Sequence, residues 1–344
     1  MCTTGPAARS TTSRSARPAR VRATTWVVLR GVAAAIAAGV LAPSAFASGP
    51  LTDVNLQDVT LQVNAKGEAL ISYVRDDGPP RHVLAWGAVN ALAPSADVPQ
   101  VRFSWDYAGG WRKYHDASYW KRFKNVCHPY DGPPLPFLVV ACKASDGSYW
   151  AVQSWQRRLP HRGVDPWLRE QGAWSFDVSH WTDDVAALNL YVDWPKTFNY
   201  ETEQIFGRMS YAGQPVHGFG TTAKGAPTDA YGRGVYIDTF DSAYGEGWKR
   251  ETSVVVRNPT GSFCYSFYPT NDVSLPGHPS RPAGNGQRYR ISAIGPGVTP
   301  DVEAEADGLG NYDSGNEADV RLERTQLGLY DDVTAGDKFC ATQR

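Results

Sequence analysis

Three of the four carboxylates in the segment VYIDTFDSAYGEGWKRE (235–251) lie close together, namely Asp238, Asp241 and Glu246. Hydrolysis of a glycosidic bond needs two carboxyl groups across a cleft, about 5–5.5 Å apart for retention of configuration and about 6.5–9.5 Å apart for inversion. Four aromatic residues accompany these acids, and aromatic faces stack well on the apolar face of a sugar ring. The segment therefore suggests a carbohydrate-active hydrolase or lyase that uses Asp238 with Asp241 or Glu246.

The same segment also predicts a β-hairpin, with a loop over 241–247. Asp238 and Asp241 have opposite parity along a strand, so their side chains point to opposite faces unless the strand bends. Asp241 then opens the turn as an Asx residue. Glu246 lies between two glycines at the hairpin tip, where a catalytic carboxylate is hard to hold in place.

Cross-strand pairing gives this hairpin a register. Phe240 is predicted to face Trp248 as an aromatic pair, and Asp238 to face Arg250 as an ion pair. This register accounts for Asp238 without catalysis. The hairpin interpretation therefore favours ligand binding over catalysis for the segment.

Aromatic residues in glycine-rich loops are the best candidates for binding a ligand. Trp111 follows two glycines in DYAGGWRKYHDASYW (106–120). Trp105 and Trp174, by contrast, alternate with apolar residues and are predicted to pack in the core. The candidate binding residues are Trp111, Tyr114, Trp120, Tyr236, Tyr244 and Trp248.

Other catalytic chemistry has little support in the sequence. There is no G-x-S-x-G motif, which positions the nucleophile in many serine hydrolases. His217, in QPVHGFG, is the histidine best placed for chemistry, but no partner for it is recognisable. We expect no cofactor.

The acidic segment 301–324 has two interpretations. Acidic and apolar residues alternate in both of its halves, which predicts two strands joined by a loop over 307–317. The alternative is a calcium site in that loop, formed by Asp307, Asn311 and Asp313, although the spacing does not match an EF-hand.

Residues 1–47 are predicted to be a secretory signal peptide. Six arginines without any acid precede the apolar run GVAAAIAAGVLA (31–42), and Ala45-Phe46-Ala47 resembles a cleavage site. The run is shorter than the roughly 20 residues needed to span a bilayer. We therefore expect a secreted, extracellular protein with no membrane span after signal removal.

The charge of the remaining chain disfavours nucleic acid as a partner. The whole chain has 34 basic and 35 acidic residues; without the six arginines 28 basic residues remain, so residues 48–344 have a net charge of −7. A protein with this balance lacks the basic surface on which non-specific nucleic-acid binding depends.

Four cysteines remain after residue 47, and an even number in an exported chain predicts two disulfides. Four cysteines allow three pairings. We favour Cys127–Cys142 and Cys264–Cys340. A metal site is the alternative, but no CxxC or HxxxH spacing occurs.

The chain reads as all-β, with antiparallel β-sandwich or jelly-roll modules and only short helices. Apolar and polar residues alternate over most of it, and Lys66-Gly67 and Asp146-Gly147 mark hairpin turns. Short helices are predicted at 116–125 and 164–172. Ten of the eleven tryptophans after residue 47 precede residue 200, which predicts a Trp-rich domain over 48–200 and a Gly/Tyr-rich domain over 201–344.

Three functions remain open. The first is an exported protein that binds a glycan or cell-envelope polymer through its loop aromatics. The second is the carbohydrate-active enzyme described above. The third is a structural envelope or adhesion module that binds no small ligand.

Overall fold

The computed structural model describes residues 48–76, 78–87, 104–156, 159–160, 162, 172–196, 199–211, 213–215, 220–221, 227–228, 234–252, 260–269, 282–295 and 300–340. The predicted signal peptide lies outside these residues. The described chain forms four sheets, in which every pair of strands is antiparallel. The predicted all-β class is therefore confirmed.

Two sheets form the first half of the fold. One contains four strands in sequence order, namely β2 (Gln57–Val63), β3 (Ala69–Arg75), β4 (Gly78–Trp86) and β5 (Ser104–Tyr107). The other has the order β1-β9-β8-β7-β6, with β1 (Ser48–Pro50), β6 (His128–Pro129), β7 (Leu138–Lys143), β8 (Tyr149–Gln156) and β9 (Trp174–Trp181). Both sheets contribute to one buried core, with Ile71 and Val83 from the first and Trp150, Val152 and Val178 from the second. This packing is that of a β-sandwich.

Two further sheets form the second half. One joins β11 (Gln204–Tyr211) to β10 (Ala187–Asp193), β12 (Gln214–Pro215) and β17 (Ser262–Ser266). The other has the order β13-β14-β15-β18-β19 with β16 also paired to β15; its strands are β13 (Gly220–Thr221), β14 (Pro227–Thr228), β15 (Gly234–Ser242), β16 (Gly245–Thr252), β18 (Arg288–Ile294) and β19 (Val302–Asp307). Alternate residues of these strands, such as Ile205, Ile237 and Ile291, form a second core.

Direct contacts connect residues of the two halves. The Gln153 side chain donates to the backbone oxygen of Asp301 at 3.0 Å and accepts from its backbone nitrogen at 2.9 Å. The rings of Trp155 and Tyr236 lie 4.8 Å apart. The domain boundary at residue 200 stays a prediction.

The main departure from the prediction is the segment after residue 316. It forms the α-helix α1 (Glu317–Val333), so the second predicted strand of 301–324 and the restriction to short helices are both wrong. Asn316 caps this helix, because its side chain accepts a hydrogen bond from the backbone nitrogen of Ala318. The first strand, β19, is confirmed.

Tertiary packing explains why the helix forms. Leu329, Tyr330 and Val333 lie on one face, and Tyr330 is buried against Phe206 and the second disulfide. These residues follow helical spacing. Of the charged residues that alternate over 319–323, Arg321 is exposed and Asp319 and Glu323 are half-buried.

The prediction of a helix over 116–125 is also wrong, because only one turn of 3-10 helix forms, at Tyr119–Arg122. The Asp116 carboxylate accepts from the backbone nitrogen and the hydroxyl of Ser118, each at 2.8 Å, and so stabilises the preceding turn. The second predicted helix, 164–172, lies outside the described residues except for Gly172.

Both predicted disulfides are confirmed. Cys127 pairs with Cys142 on β7, and Cys264 on β17 pairs with Cys340, with 5.8 Å between the Cα atoms in each case. Disulfides of this kind are typical of proteins outside the reducing cytoplasm. Within the part of the chain that the structure describes, no helix is both long and apolar enough to cross a membrane.

Candidate functional site

A cleft of about 1130 Å³ lies beside the sheet formed by β2–β5. Its walls come from the β3–β4 hairpin, from the loop that follows β5, and from the short helix at 119–122. The lining residues are Thr52, Arg75, Pro79, Pro80, Arg81, His82, Asp106, Tyr107, Ala108, Gly109, Gly110, Trp111, Ala117 and Trp120. Two of the predicted binding residues, Trp111 and Trp120, therefore line the same cleft.

The carboxylate of Asp106 organises the loop that carries Trp111. Its Oδ1 accepts from the backbone nitrogen of Tyr107 at 3.0 Å, and its Oδ2 accepts from those of Arg112 at 3.0 Å and Tyr114 at 2.7 Å. Asp106 itself is buried. Hydrogen bonds to a charged group are stronger than those between neutral groups, so this side chain fixes the backbone over 107–114.

Two glycines allow the loop to fold around this carboxylate. Gly109 has a φ of +79°, which is unfavourable for other residues. A Cβ atom at Gly110 would collide with the Asp106 carboxylate and with the backbone oxygen of Tyr107. An ion pair between Lys113 and Glu68 also connects the loop to the β2–β3 turn.

Trp111 is 96% exposed at the end of this well-defined loop. Trp120 is partly exposed, and its ring stacks on His82 with 4.2 Å between the centroids and 16° between the planes. The His82 Nδ1 lies 2.7 Å from the hydroxyl of Ser72, and burial lowers the pKa of His82. Burial thus favours the neutral form of His82, and the pair presents an aromatic surface.

Tyr114 was predicted to bind ligand, but its side chain is fully buried. It packs beneath the loop against Leu70 and Leu84 and meets Tyr119 edge-on at 4.9 Å. These contacts cover the outer face of the β2–β5 sheet. Tyr114 therefore supports the loop and takes no part in its exposed surface.

Several residues of the cleft were not found by sequence reasoning. The Tyr107 hydroxyl lies 2.6 Å from the Thr52 hydroxyl. The Arg81 guanidinium lies 4.8 Å from the centre of the Tyr107 ring and donates a hydrogen bond to the Asp53 carboxylate at 2.8 Å. These residues come from three separate segments. Nothing in their local sequence indicates that they meet.

The hairpin over 235–251 has the predicted register. Phe240 lies opposite Trp248 with 5.1 Å between ring centroids, and Asp238 lies opposite Arg250. The turn between β15 and β16 is shorter than the predicted loop, because Ser242 already pairs with Gly245.

The three acids of this hairpin do not surround a common opening. Asp238 is 1% exposed and accepts from the guanidinium groups of Arg250 and Arg290, the latter at 2.9 Å. Asp241 accepts from the backbone nitrogen of Gly247 at 2.7 Å and has a φ of +47°. Glu246 is exposed. This geometry favours the hairpin interpretation over the catalytic one.

The aromatic residues of the hairpin are engaged with the protein itself. Tyr236 is buried, with the guanidinium of Arg250 at 4.2 Å from its ring. Trp248 is half-buried, with the guanidinium of Arg290 at 4.1 Å. Tyr244 is half-buried, and burial together with the nearby Glu251 carboxylate raises its pKa. The hairpin is thus less open to a ligand than the Trp111 cleft.

No protein-family model matches this chain, and neither does any curated protein or solved structure.

The sequence did not indicate two buried carboxylates whose pKa values are raised. Burial raises the pKa of Glu251, which accepts from the Tyr265 hydroxyl at 2.8 Å and lies 3.4 Å from Arg162. Burial also raises the pKa of Glu203, which accepts from the Tyr289 hydroxyl and from two backbone nitrogens. Glu203 holds strands and loops together within the second half of the fold, whereas Glu251 also contacts Arg162 of the first half.

The remaining candidates stay predictions. His217 lies outside the described residues. Among the residues that the structure describes, no three His, Cys, Asp or Glu side chains are grouped to hold a metal ion. In the proposed calcium loop, which also contains Asp307 and Asn311, the Asp313 carboxylate accepts from the backbone nitrogen of Gly315 at 2.8 Å.

Proposed function

We propose that this protein binds a glycan or cell-envelope polymer in the cleft lined by Trp111 and Trp120. The observation that carries the proposal is the exposure of Trp111, 96%, on a loop whose backbone is fixed by Asp106. Burying a large apolar side chain contributes about 1.5–3 kcal/mol to folding. Trp111 makes no such contribution, so its position favours a role in binding.

The arrangement suits a sugar ring. Trp111 provides an open indole face, and Trp120 with its stacked His82 provides a second aromatic surface in the same cleft. Because Asp106 already fixes the loop, binding orders few additional groups, which lowers its entropic cost. The polar groups around Thr52 and Tyr107 can form hydrogen bonds to sugar hydroxyls.

The two disulfides support a location where such polymers occur. Secretion itself follows from the predicted signal peptide. The proposal therefore concerns a protein exported to the cell envelope or its surroundings.

Binding is tested with the purified, disulfide-bonded protein by tryptophan fluorescence titration and by sedimentation with insoluble polysaccharides. We expect saturable binding to at least one glycan and a loss of about tenfold or more in Trp111→Ala. Trp174→Ala is the matched control, because Trp174 is also exposed, at 48%, but does not line the cleft.

Equal losses in both variants would contradict the assignment of the cleft. No saturable binding to any cell-wall, plant or microbial polysaccharide would favour the alternative of a structural envelope or adhesion module.

A further inference from the structure

Three charged residues line the cleft, and two of them are already engaged with other groups of the protein. The Asp106 carboxylate is occupied by three backbone N–H groups. Arg81 forms an ion pair with Asp53 at 2.8 Å. The third charged residue is Arg75, at the end of β3.

The Arg75 Nε is buried and has no hydrogen-bond partner among the described residues. Its guanidinium packs over Gly78, since a Cβ atom at that position would collide with Nη2. A buried N–H group without a partner is unfavourable. Only Nε is buried in this way, so a ligand acceptor would pair with the terminal nitrogens of the guanidinium and offset part of this penalty.

A further cationic side chain lies beside Trp120. The ammonium group of Lys121 lies 5.5 Å from the Trp120 ring. The protein as a whole is acidic, with a net charge of −7 over residues 48–344. Its overall charge therefore repels polyanions, and any preference for them must come from this local site.

We propose that the glycan bound in this cleft is acidic, with a sugar carboxylate that pairs with Arg75 while Trp111 and Trp120 contact the rings. The inference rests on the proposed function. A guanidinium matches a carboxylate because two parallel N–H groups can donate to its two oxygens. Sulfate and phosphate esters share part of this chemistry, and the experiment separates them from carboxylates.

The test compares polygalacturonate with its methyl-esterified form, which has the same backbone without the negative charge. Dextran sulfate and dextran form a second pair that differs only in sulfate groups. Affinities are measured by isothermal titration calorimetry at two ionic strengths. We expect polygalacturonate to bind at least about tenfold more tightly than the ester, with an advantage that decreases as salt is added.

Two variants test the role of Arg75. Arg75→Gln removes the charge, and Gly78→Ala keeps the arginine but displaces its guanidinium. Both should reduce the preference for the carboxylate form about tenfold, and Arg321→Gln should retain it. Arg321 is the control because its side chain is 70% exposed on α1, away from the cleft. Thermal unfolding verifies that each variant is folded.

Each outcome bears on one of the two proposals. Equal binding of the ester and the free acid would overturn the acidic-glycan inference while leaving glycan binding intact. An unchanged preference in both Arg75→Gln and Gly78→Ala would overturn the assignment to Arg75. Binding of dextran sulfate without polygalacturonate would overturn the choice of carboxylate. Binding of no polysaccharide, acidic or neutral, would overturn the proposed function itself.

Discussion

Replacing Asp106 by asparagine tests whether this one carboxylate holds the Trp111 loop in place. Asparagine has a single acceptor oxygen: either this oxygen faces Tyr107 and the NH₂ group lies opposite the two backbone N–H groups of Arg112 and Tyr114, or an uncharged oxygen faces these two groups and the bond to Tyr107 is lost. A hydrogen bond to a charged group contributes about 1.5–3 kcal/mol. Two weakened bonds therefore correspond to a loss of about 3 kcal/mol in the free energy of unfolding. This value takes the lower end of the range for each bond, because the Arg112 backbone nitrogen can be rehydrated in the variant.

The effect is measured in two ways. Denaturant unfolding should show a decrease of about 3 kcal/mol in the free energy of unfolding. Hydrogen exchange should become faster at the amides of 112–114, and glycan affinity should fall even though Trp111 is still present. Asp116→Asn is the control, because Asp116 is an exposed aspartate that caps a turn in the neighbouring segment.

The reasoning would be refuted by an Asp106→Asn protein that loses less than about 0.5 kcal/mol, the usual range for surface substitutions. Full glycan affinity with a destabilised fold would also contradict it. In that case the loop would keep its shape without the carboxylate.

Three further predictions concern the rest of the molecule. Asp238→Asn should destabilise the fold by about 3–5 kcal/mol, because it removes the counter-ion of the buried Arg250 and of the half-buried Arg290; an unchanged free energy of unfolding in denaturant would contradict this structural role. Burial raises the pKa of Glu251 above its usual 4.5, so its contribution to stability is complete below that value and is lost as pH rises through the folded-state pKa. In Glu251→Gln, Tm should therefore decrease less as pH rises, and a Tm–pH profile equal to that of the unmodified protein would contradict this role of Glu251. Replacing both cysteines of the 264–340 pair by alanine should cost about 4 kcal/mol and the 127–142 pair about 3 kcal/mol, since they close loops of 76 and 15 residues; the reverse order in calorimetry would contradict the loop-entropy argument.

The hairpin shows how much can be predicted from local sequence. The partners of Phe240 and Asp238 follow from aromatic and charge pairing across two strands that are close in sequence. The alternation of the strands is also a local pattern, and the disulfides had to be chosen from only three pairings. Such features can be predicted without knowing which distant segments pack against each other.

The helix at 317–333 shows the opposite case. The apolar residues near its start are spaced in a way that fits both the period of two of a strand and the period of 3.6 of a helix, because the window is short. Packing of Tyr330 against Phe206 and Cys264, which are distant in sequence, favours the helix. Trp174 is a similar case: its alternation with Phe176 predicts burial, but its position at the start of β9 leaves it 48% exposed.

By itself, the sequence determined the all-β class, the register of the β15–β16 hairpin and the presence of loop aromatics around Trp111, and it favoured the correct one of three disulfide pairings. Only the tertiary structure decided which of those aromatics face solvent. Trp111 and Tyr114 are three residues apart, yet one is exposed and the other is buried on Leu70 and Leu84. The reason is physical: burial depends on what covers a surface, and here Asp106 turns the loop back over the sheet so that one ring points in and the other out.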